Sequence, residues 1–241
     1  MSYVLITGAS RGIGKATALK LAAAGYNLIL ICHKNTELLD DVTRQSKEFG
    51  VSVITFTGDI SKEDTCNVIL SSLKEQNIYP DILINNAGIS HIGLFQDMSL
   101  RQWNEVIETN LNSMFLCCKL VIPSMLNNKK GKIINISSVW GNVGASCEVA
   151  YSASKGAVNS FTKALAKELA PSNIQVNAIA FGAIDTQMNN HLSPEDKTSL
   201  CEEIPMGRMG TVDEAADMIL SLISSPNYLT GQIITMDGGW I

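Results

Sequence analysis

Residues 3–14 read YVLITGASRGIG, Tyr3 through Gly14. An apolar, β-branched run at 3–7 gives way to a turn holding Gly8, Gly12 and Gly14, and residues 13–24 carry a helical pattern that Gly25 stops. Glycines permit a tight turn and let the backbone approach an anion closely. The free N–H groups and positive dipole end of the following helix favour a pyrophosphate. A glycine-rich turn alone is a weak signal. Between the first strand and first helix of a βαβ unit it marks a dinucleotide site. The spacing here is GxxxGxG rather than GxGxxG.

Outward from this turn, short apolar runs alternate with helical stretches. Strands are predicted at 27–31, 51–57, 81–84, 132–136, 174–179 and 232–236, and helices at 36–49 and 62–76. Runs as apolar as VLIT, LILI and DILI suit a parallel sheet covered on both faces. The alternation implies an α/β fold, a Rossmann-type doubly wound parallel sheet. No linker or repeat divides the chain, so residues 1–241 form one dinucleotide-binding domain. The least regular stretch, 181–210, follows a strand end and is expected to act as a lid over the substrate.

Composition narrows the function. The net charge of −5 argues against a nucleic-acid partner. No apolar run approaches the ~20 residues needed to span a bilayer, and no signal peptide is visible, so the expectation is a cytoplasmic protein with no membrane contact. Cys32, Cys66, Cys117, Cys118, Cys147 and Cys201 include no CxxC pair and no zinc spacing, so no metal is expected and the thiols are read as buried and reduced.

Two local patterns bear on chemistry. The second strand ends Cys32-His33-Lys34-Asn35, without the acid that often holds an NAD ribose, while Arg11 sits in the glycine turn. Arg11, His33 and Lys34 offer cations to a 2′-phosphate, which favours NADP(H). Further on, Tyr151 and Lys155 lie four residues apart, on one face of a helix. A lysine cation beside a phenol favours phenolate and prepares it to exchange protons.

Taken together, TGASRGIG at 7–14, Asn85-Asn86-Ala87-Gly88, Ser137-Ser138 and the Tyr151/Lys155 pair stand in the order of the short-chain dehydrogenase/reductase family. The chain resembles that family over nearly its whole length, to Asp237-Gly238-Gly239-Trp240, and looks most like its 3-oxoacyl-acyl-carrier-protein reductases of fatty acid synthesis. The resemblance implies reduction of a ketone to a secondary alcohol. Tyr151 would give the proton, Ser138 would orient the carbonyl, Lys155 would hold the nicotinamide ribose and tune Tyr151, and Asn110 would fix a water leading to Lys155. Gly8, Arg11, Gly12, Ile13 and Gly14 would hold the pyrophosphate and adenosine side. Asp59 and Ile60 would flank the adenine, Asn86, Ala87 and Gly88 the adenosine ribose, and Gly182 and Thr186 the nicotinamide end. A homotetramer is also implied, with the apolar patterns at 101–127 and 151–170 available for its interfaces. Phe181 replaces the family's usual proline before Gly182, which restores a backbone N–H there.

The substrate is open between two ketones. An acidic acyl carrier protein would dock on Lys129, Lys130 and Lys132, although Pro171-Ser172-Asn173 lacks the basic residue that such relatives often carry. The stretch WGNVGASCEVAYS, with Trp140 and Glu148 as pocket residues, instead resembles a subgroup that reduces an aminopentanone modification on a lysine of elongation factor P. Those two side chains suit a cation. A third reading, a non-catalytic dinucleotide-binding sensor, conflicts with the presence of Asn110, Ser138, Tyr151 and Lys155 together.

Overall fold

The computed structural model describes residues 2–241. Seven parallel strands form one sheet in the order β3-β2-β1-β4-β5-β6-β7. They are β1 Tyr3–Thr7, β2 Asn27–Cys32, β3 Val53–Thr57, β4 Pro80–Asn85, β5 Gly131–Ser138, β6 Ile174–Phe181 and β7 Ile233–Met236. The helices are α1 Gly12–Ala23, α2 Thr36–Lys47, α3 Glu63–Glu75, α4 Leu100–Ile107, α5 Ser113–Asn128, α6 Trp140–Val143, α7 Val149–Leu169, α8 Pro194–Glu203 and α9 Val212–Ile223. No helix among the described residues is long and apolar enough to cross a membrane.

Successive side chains of a strand point to opposite faces, and β1 shows the consequence. Val4 and Ile6 join Leu21, Leu39, Val42, Ile219 and Leu222 under α1, α2 and α9. Leu5 joins Ile69, Leu73, Met114, Val121, Val158 and Leu169 under α3, α5 and α7. Both faces are therefore dry, as continuous apolar strands require.

The strand order reverses between β1 and β4, where the registers bring Ile6 beside Ile84 and, on the other side of β1, Thr7 beside Ile31. In an open α/β sheet a ligand crevice opens at such a reversal, outside the strands' carboxyl ends. β5 and β6 run further than the sequence pattern indicates because pairing continues through Ser138 and Phe181. Ser138 thus ends a strand rather than following one. Phe181 is buried, and its carbonyl accepts the Val139 N–H at 3.0 Å. The segment read as irregular, 181–210, contains a 3-10 turn at Gln187–Asn189 and the helix α8, started by a Ser193/Asp196 capping box. All six cysteines are free, but Cys147 and Cys201 are half-buried rather than fully enclosed.

Candidate active site

The glycine turn is built from backbone and braced by its neighbours. Gly8 and Gly12 take left-handed φ of 66° and 54°. A Cβ on Gly14 would collide with the Gly8 carbonyl oxygen and stand 2.7 Å from Asn86 Nδ2. Asn86 Nδ2 donates to the carbonyls of Thr7 at 2.9 Å and Gly8 at 3.2 Å, and Thr7 Oγ1 accepts the N–H groups of Asn86 and Ala87, each at 3.0 Å. Sequence reading missed Thr7, whose hydroxyl ties β1 to the loop after β4. α1 has no side-chain cap and no acid in its first turn, whereas α4, α8 and α9 each begin with a capping box. Its first N–H groups are left for an anion. This backbone cradle fits a dinucleotide pyrophosphate.

The other expected cofactor residues surround this loop. The Thr186 methyl would lie 3.6 Å from a Cβ on Gly12, which places the chain after β6 against the turn. Arg11 is exposed, and its Nη1 donates to Gln187 Oε1 at 3.1 Å. Gly182 lies against Asp237, its N–H donating to the Met236 carbonyl at 3.0 Å. His33 and Lys34 are exposed just past β2. Past β3, Asp59 Oδ1 accepts from Ser61 N at 3.0 Å and Ser61 Oγ at 2.7 Å. Burial pushes the Asp59 pKa up, but these bonds and the nearby His33 outweigh it and hold the carboxyl below its ordinary value. Ile60 is packed in the core, with Leu5 and Cys66 in its cluster.

Ser138, Tyr151 and Lys155 converge from two elements, β5 and α7. Ser138, at the end of β5, faces the Tyr151 phenol from α7. Burial lifts the Tyr151 pKa to about 12, with Ser138 pulling it down and the Glu148 charge pushing it up. Lys155 is 4% exposed, and its Nζ donates to the Ile136 carbonyl at 2.7 Å. It stands 5.5 Å from the Tyr151 ring centroid. Burial lowers its pKa to about 8, so it gives up its proton far more readily than an exposed lysine. The Lys155 ammonium is engaged by the Ile136 carbonyl and lies over the Tyr151 ring, and Ser138 favours phenolate.

Asn110 sits in a π-helical turn, Glu108–Asn112, between α4 and α5. Such turns often mark functional positions. Its Nδ2 donates to the Ile89 carbonyl and to Ser154 Oγ, both at 2.9 Å, and its Oδ1 accepts the Ile89 N–H at 2.8 Å. A Cβ on Gly88 would be 3.4 Å from Asn110 Oδ1 and 3.5 Å from Lys155 Nζ, so both flank one spot. Behind Ser138, Gly141 approaches the Lys155 backbone so closely that a Cβ would stand 2.7 Å from its carbonyl carbon. Ser137 Oγ donates to Asn159 Oδ1 at 2.6 Å, and Asn159 Nδ2 to Asn142 Oδ1 at 2.9 Å. These contacts lock α6 onto α7 and fix Ser138 relative to Tyr151.

The residues expected on the substrate side come from separate connections. Glu148, immediately before α7, accepts a hydrogen bond on Oε2 from Ser90 Oγ, in the loop after β4. The Gly93 N–H reinforces that bridge by donating to the Cys147 carbonyl at 2.9 Å. The Trp140 N–H donates to Ser138 Oγ at 3.2 Å, and its ring meets Trp240 edge-on with centroids 4.9 Å apart. Sequence reading did not assign Ser90 or Trp240 to the pocket, because their partners Glu148 and Trp140 are remote in the chain.

The lysine cluster needs correction. Lys132 Nζ donates to the carbonyls of Ile223 and Ser225, each at 2.7 Å, and so serves the C-terminal end of α9 rather than a docking surface. Lys129 and Lys130 are exposed at the start of β5. β5 has eight residues, which at roughly 3.3 Å each puts its two ends about 23 Å apart. Tyr151 belongs to the far end. Among the described residues no group of three or more His, Cys, Asp or Glu is placed to hold a metal.

The short-chain dehydrogenase family model matches residues 2–197. This chain belongs to the short-chain dehydrogenase family. An oxidoreductase of Bacillus subtilis called YmfI, described as uncharacterized, is 42% identical over 98% of this chain and 97% of its own. The 3-oxoacyl-[acyl-carrier-protein] reductase FabG of Aquifex aeolicus is 39% identical over 98% and 95%. The solved 3-oxoacyl-[acyl-carrier protein] reductase of Brucella melitensis superposes with a TM-score of 0.92 at 30% identity, covering 100% of this chain and 91% of the other. This short-chain dehydrogenase is therefore an oxidoreductase acting between an alcohol and a carbonyl with a nicotinamide dinucleotide. The dinucleotide, when bound, supplies the hydride. Of the chain's own groups, Ser138 faces the Tyr151 phenol and Lys155 Nζ lies 5.5 Å from its ring centroid.

Proposed function

We propose that this chain is an NADPH-dependent reductase of a ketone that also carries an amine. The observation that carries the substrate class is Glu148. Its carboxylate lies close enough to Tyr151 to push the phenol's pKa up, and it is held there by Ser90. A carboxylate so near the proton donor hinders phenolate formation, which is a cost for a neutral substrate and an asset for a cationic one. Trp140, whose N–H donates to Ser138 Oγ, pairs with Trp240 to give an aromatic surface suited to an ammonium's neighbouring methylenes or charge. The aminopentanone on a lysine of elongation factor P has this chemistry, and a protein-borne ketone of that kind is the substrate proposed. NADPH is favoured by exposed Arg11, His33 and Lys34 and by the absence of an acid at the end of β2.

A second reading, reduction of a 3-oxoacyl group on an acyl carrier protein, draws on relatives 37–39% identical that are named 3-oxoacyl-[acyl-carrier-protein] reductases. It calls for a docking surface, and Lys129 and Lys130 lie at the opposite end of β5 from Tyr151 of their own chain. A carrier held there would feed the site of another copy. Self-association as a tetramer is part of this proposal for either substrate, using exposed Leu100, Phe115 and Leu126 on α4 and α5. Steady-state turnover of the wild type tests the substrate class. With NADPH, an amino-ketone should give a kcat/KM at least about tenfold above an acetoacetyl thioester, and NADH should serve less well than NADPH. A preference for the thioester overturns the amine reading, and equal use of NADH overturns the cofactor choice.

A further inference from the structure

We infer that Ser90 is a specificity-determining residue, forming with Glu148 a two-point receptor for an ammonium group that retains N–H donors. This inference rests on the amine-bearing ketone proposed above and names the groups that would read the amine. A serine hydroxyl has one proton to donate and two lone pairs to accept with. Ser90 donates its proton to Glu148 Oε2. The hydroxyl is therefore fixed as an acceptor toward any further partner, and Glu148 Oε1 remains an acceptor beside it. An alkylammonium is the matching ligand, since it has donors and no acceptor. A hydroxyl or amide substituent would match less well, because half its hydrogen-bonding capacity would face acceptors.

The receptor is also held in place relative to the reacting carbonyl. Asn110 grips both the N–H and the carbonyl of Ile89, the residue before Ser90, at 2.8 and 2.9 Å. Gly93 N to the Cys147 carbonyl, at 2.9 Å, joins the same loop to the residue before Glu148. Ser90 and Glu148 are both half-buried, so the pair is partly shielded from water yet open to a ligand. Charge-assisted hydrogen bonds gain from such shielding. The pair thus connects the Asn110 turn to the start of α7, which carries Tyr151.

The test compares a primary amino-ketone, its trimethylammonium analogue and a neutral ketone of equal length, in the wild type and in Ser90→Ala, Ser90→Thr and Glu148→Gln, each with NADPH. Ser90→Ala should reduce the amine-over-neutral ratio of kcat/KM about tenfold, through KM. Ser90→Thr, which keeps the hydroxyl, should restore most of the ratio and shows whether loss in Ser90→Ala is a folding defect. The wild type should favour the primary amine over the trimethylammonium analogue about tenfold, because the latter has no N–H to give. A Ser90→Ala ratio equal to wild type, with Glu148→Gln lowering it, overturns the role of Ser90 and leaves the amine reading standing. Ratios unchanged in both variants overturn both. Equal use of the trimethylammonium analogue overturns the hydrogen-bonding receptor in favour of charge and ring contacts alone.

Discussion

The two halves of the crevice are made of different materials. The cofactor half is backbone: the Gly8–Gly12–Gly14 turn and the uncapped start of α1, with Thr7 and Asn86 serving as braces behind it. The half proposed for the substrate is side chain: Ser90, Trp140, Glu148 and Trp240, delivered by the connections after β4 and β5 and the segment after β7. A backbone cradle reads a pyrophosphate, which is common to all its ligands. A wall of side chains can be exchanged without disturbing the sheet, so on the proposed reading that is where one ketone is told from another. Ser138, Tyr151 and Lys155 stand between the halves, and Tyr151 feels the Glu148 charge.

Substitutions that separate these parts sharpen the comparison. Tyr151→Phe removes the proton donor and should reduce kcat by about 10²–10⁴-fold, far more than it weakens NADPH binding. Turnover within a few-fold of wild type would remove Tyr151 from the proton step. Gly14→Ala acts on the other half. Its methyl group must displace the Gly8 carbonyl or Asn86, at a cost of about 1–3 kcal/mol typical of overpacking. Cofactor affinity, followed by titration of protein fluorescence, should fall about tenfold or more, with the ratio between ketone substrates preserved. A change in that ratio would mean that the two halves are not separable.

The same division explains what could be read without a structure. The fold and the phosphate turn were legible because their determinants are local: apolar strands of four to eight residues, and three glycines within seven positions. The Tyr151/Lys155 pair was legible for the same reason, one turn of α7. The Ser193/Asp196 capping box was equally local, and it is the signal that marks α8 inside the stretch read as irregular. Strand ends ran past their apolar cores because Ser137 and Ser138 keep pairing with β6 although they are polar. The Ser90–Glu148 bond, the Trp140–Trp240 contact and the use of Lys132 to hold the end of α9 join residues far apart in the chain. No spacing rule reports such pairs. The Lys155–Ile136 bond is similar: the helix period places Lys155 beside Tyr151, but only the packing of α7 on β5 shows which group the ammonium engages.

The charge of the substrate pocket is the most direct point of attack, and Glu148→Gln removes it while keeping the side chain's shape. Kinetics of this variant with an amino-ketone and with an acetoacetyl thioester, both with NADPH, give two values of kcat/KM and one ratio. If Glu148 pairs with a substrate amine, the loss of a charge-assisted contact worth roughly 1.5–3 kcal/mol should raise KM for the amino-ketone about tenfold or more and shift the ratio toward the thioester by a similar factor. A ratio identical to that of the wild type would contradict the amine-binding pocket and leave Glu148 a partner of Ser90 alone.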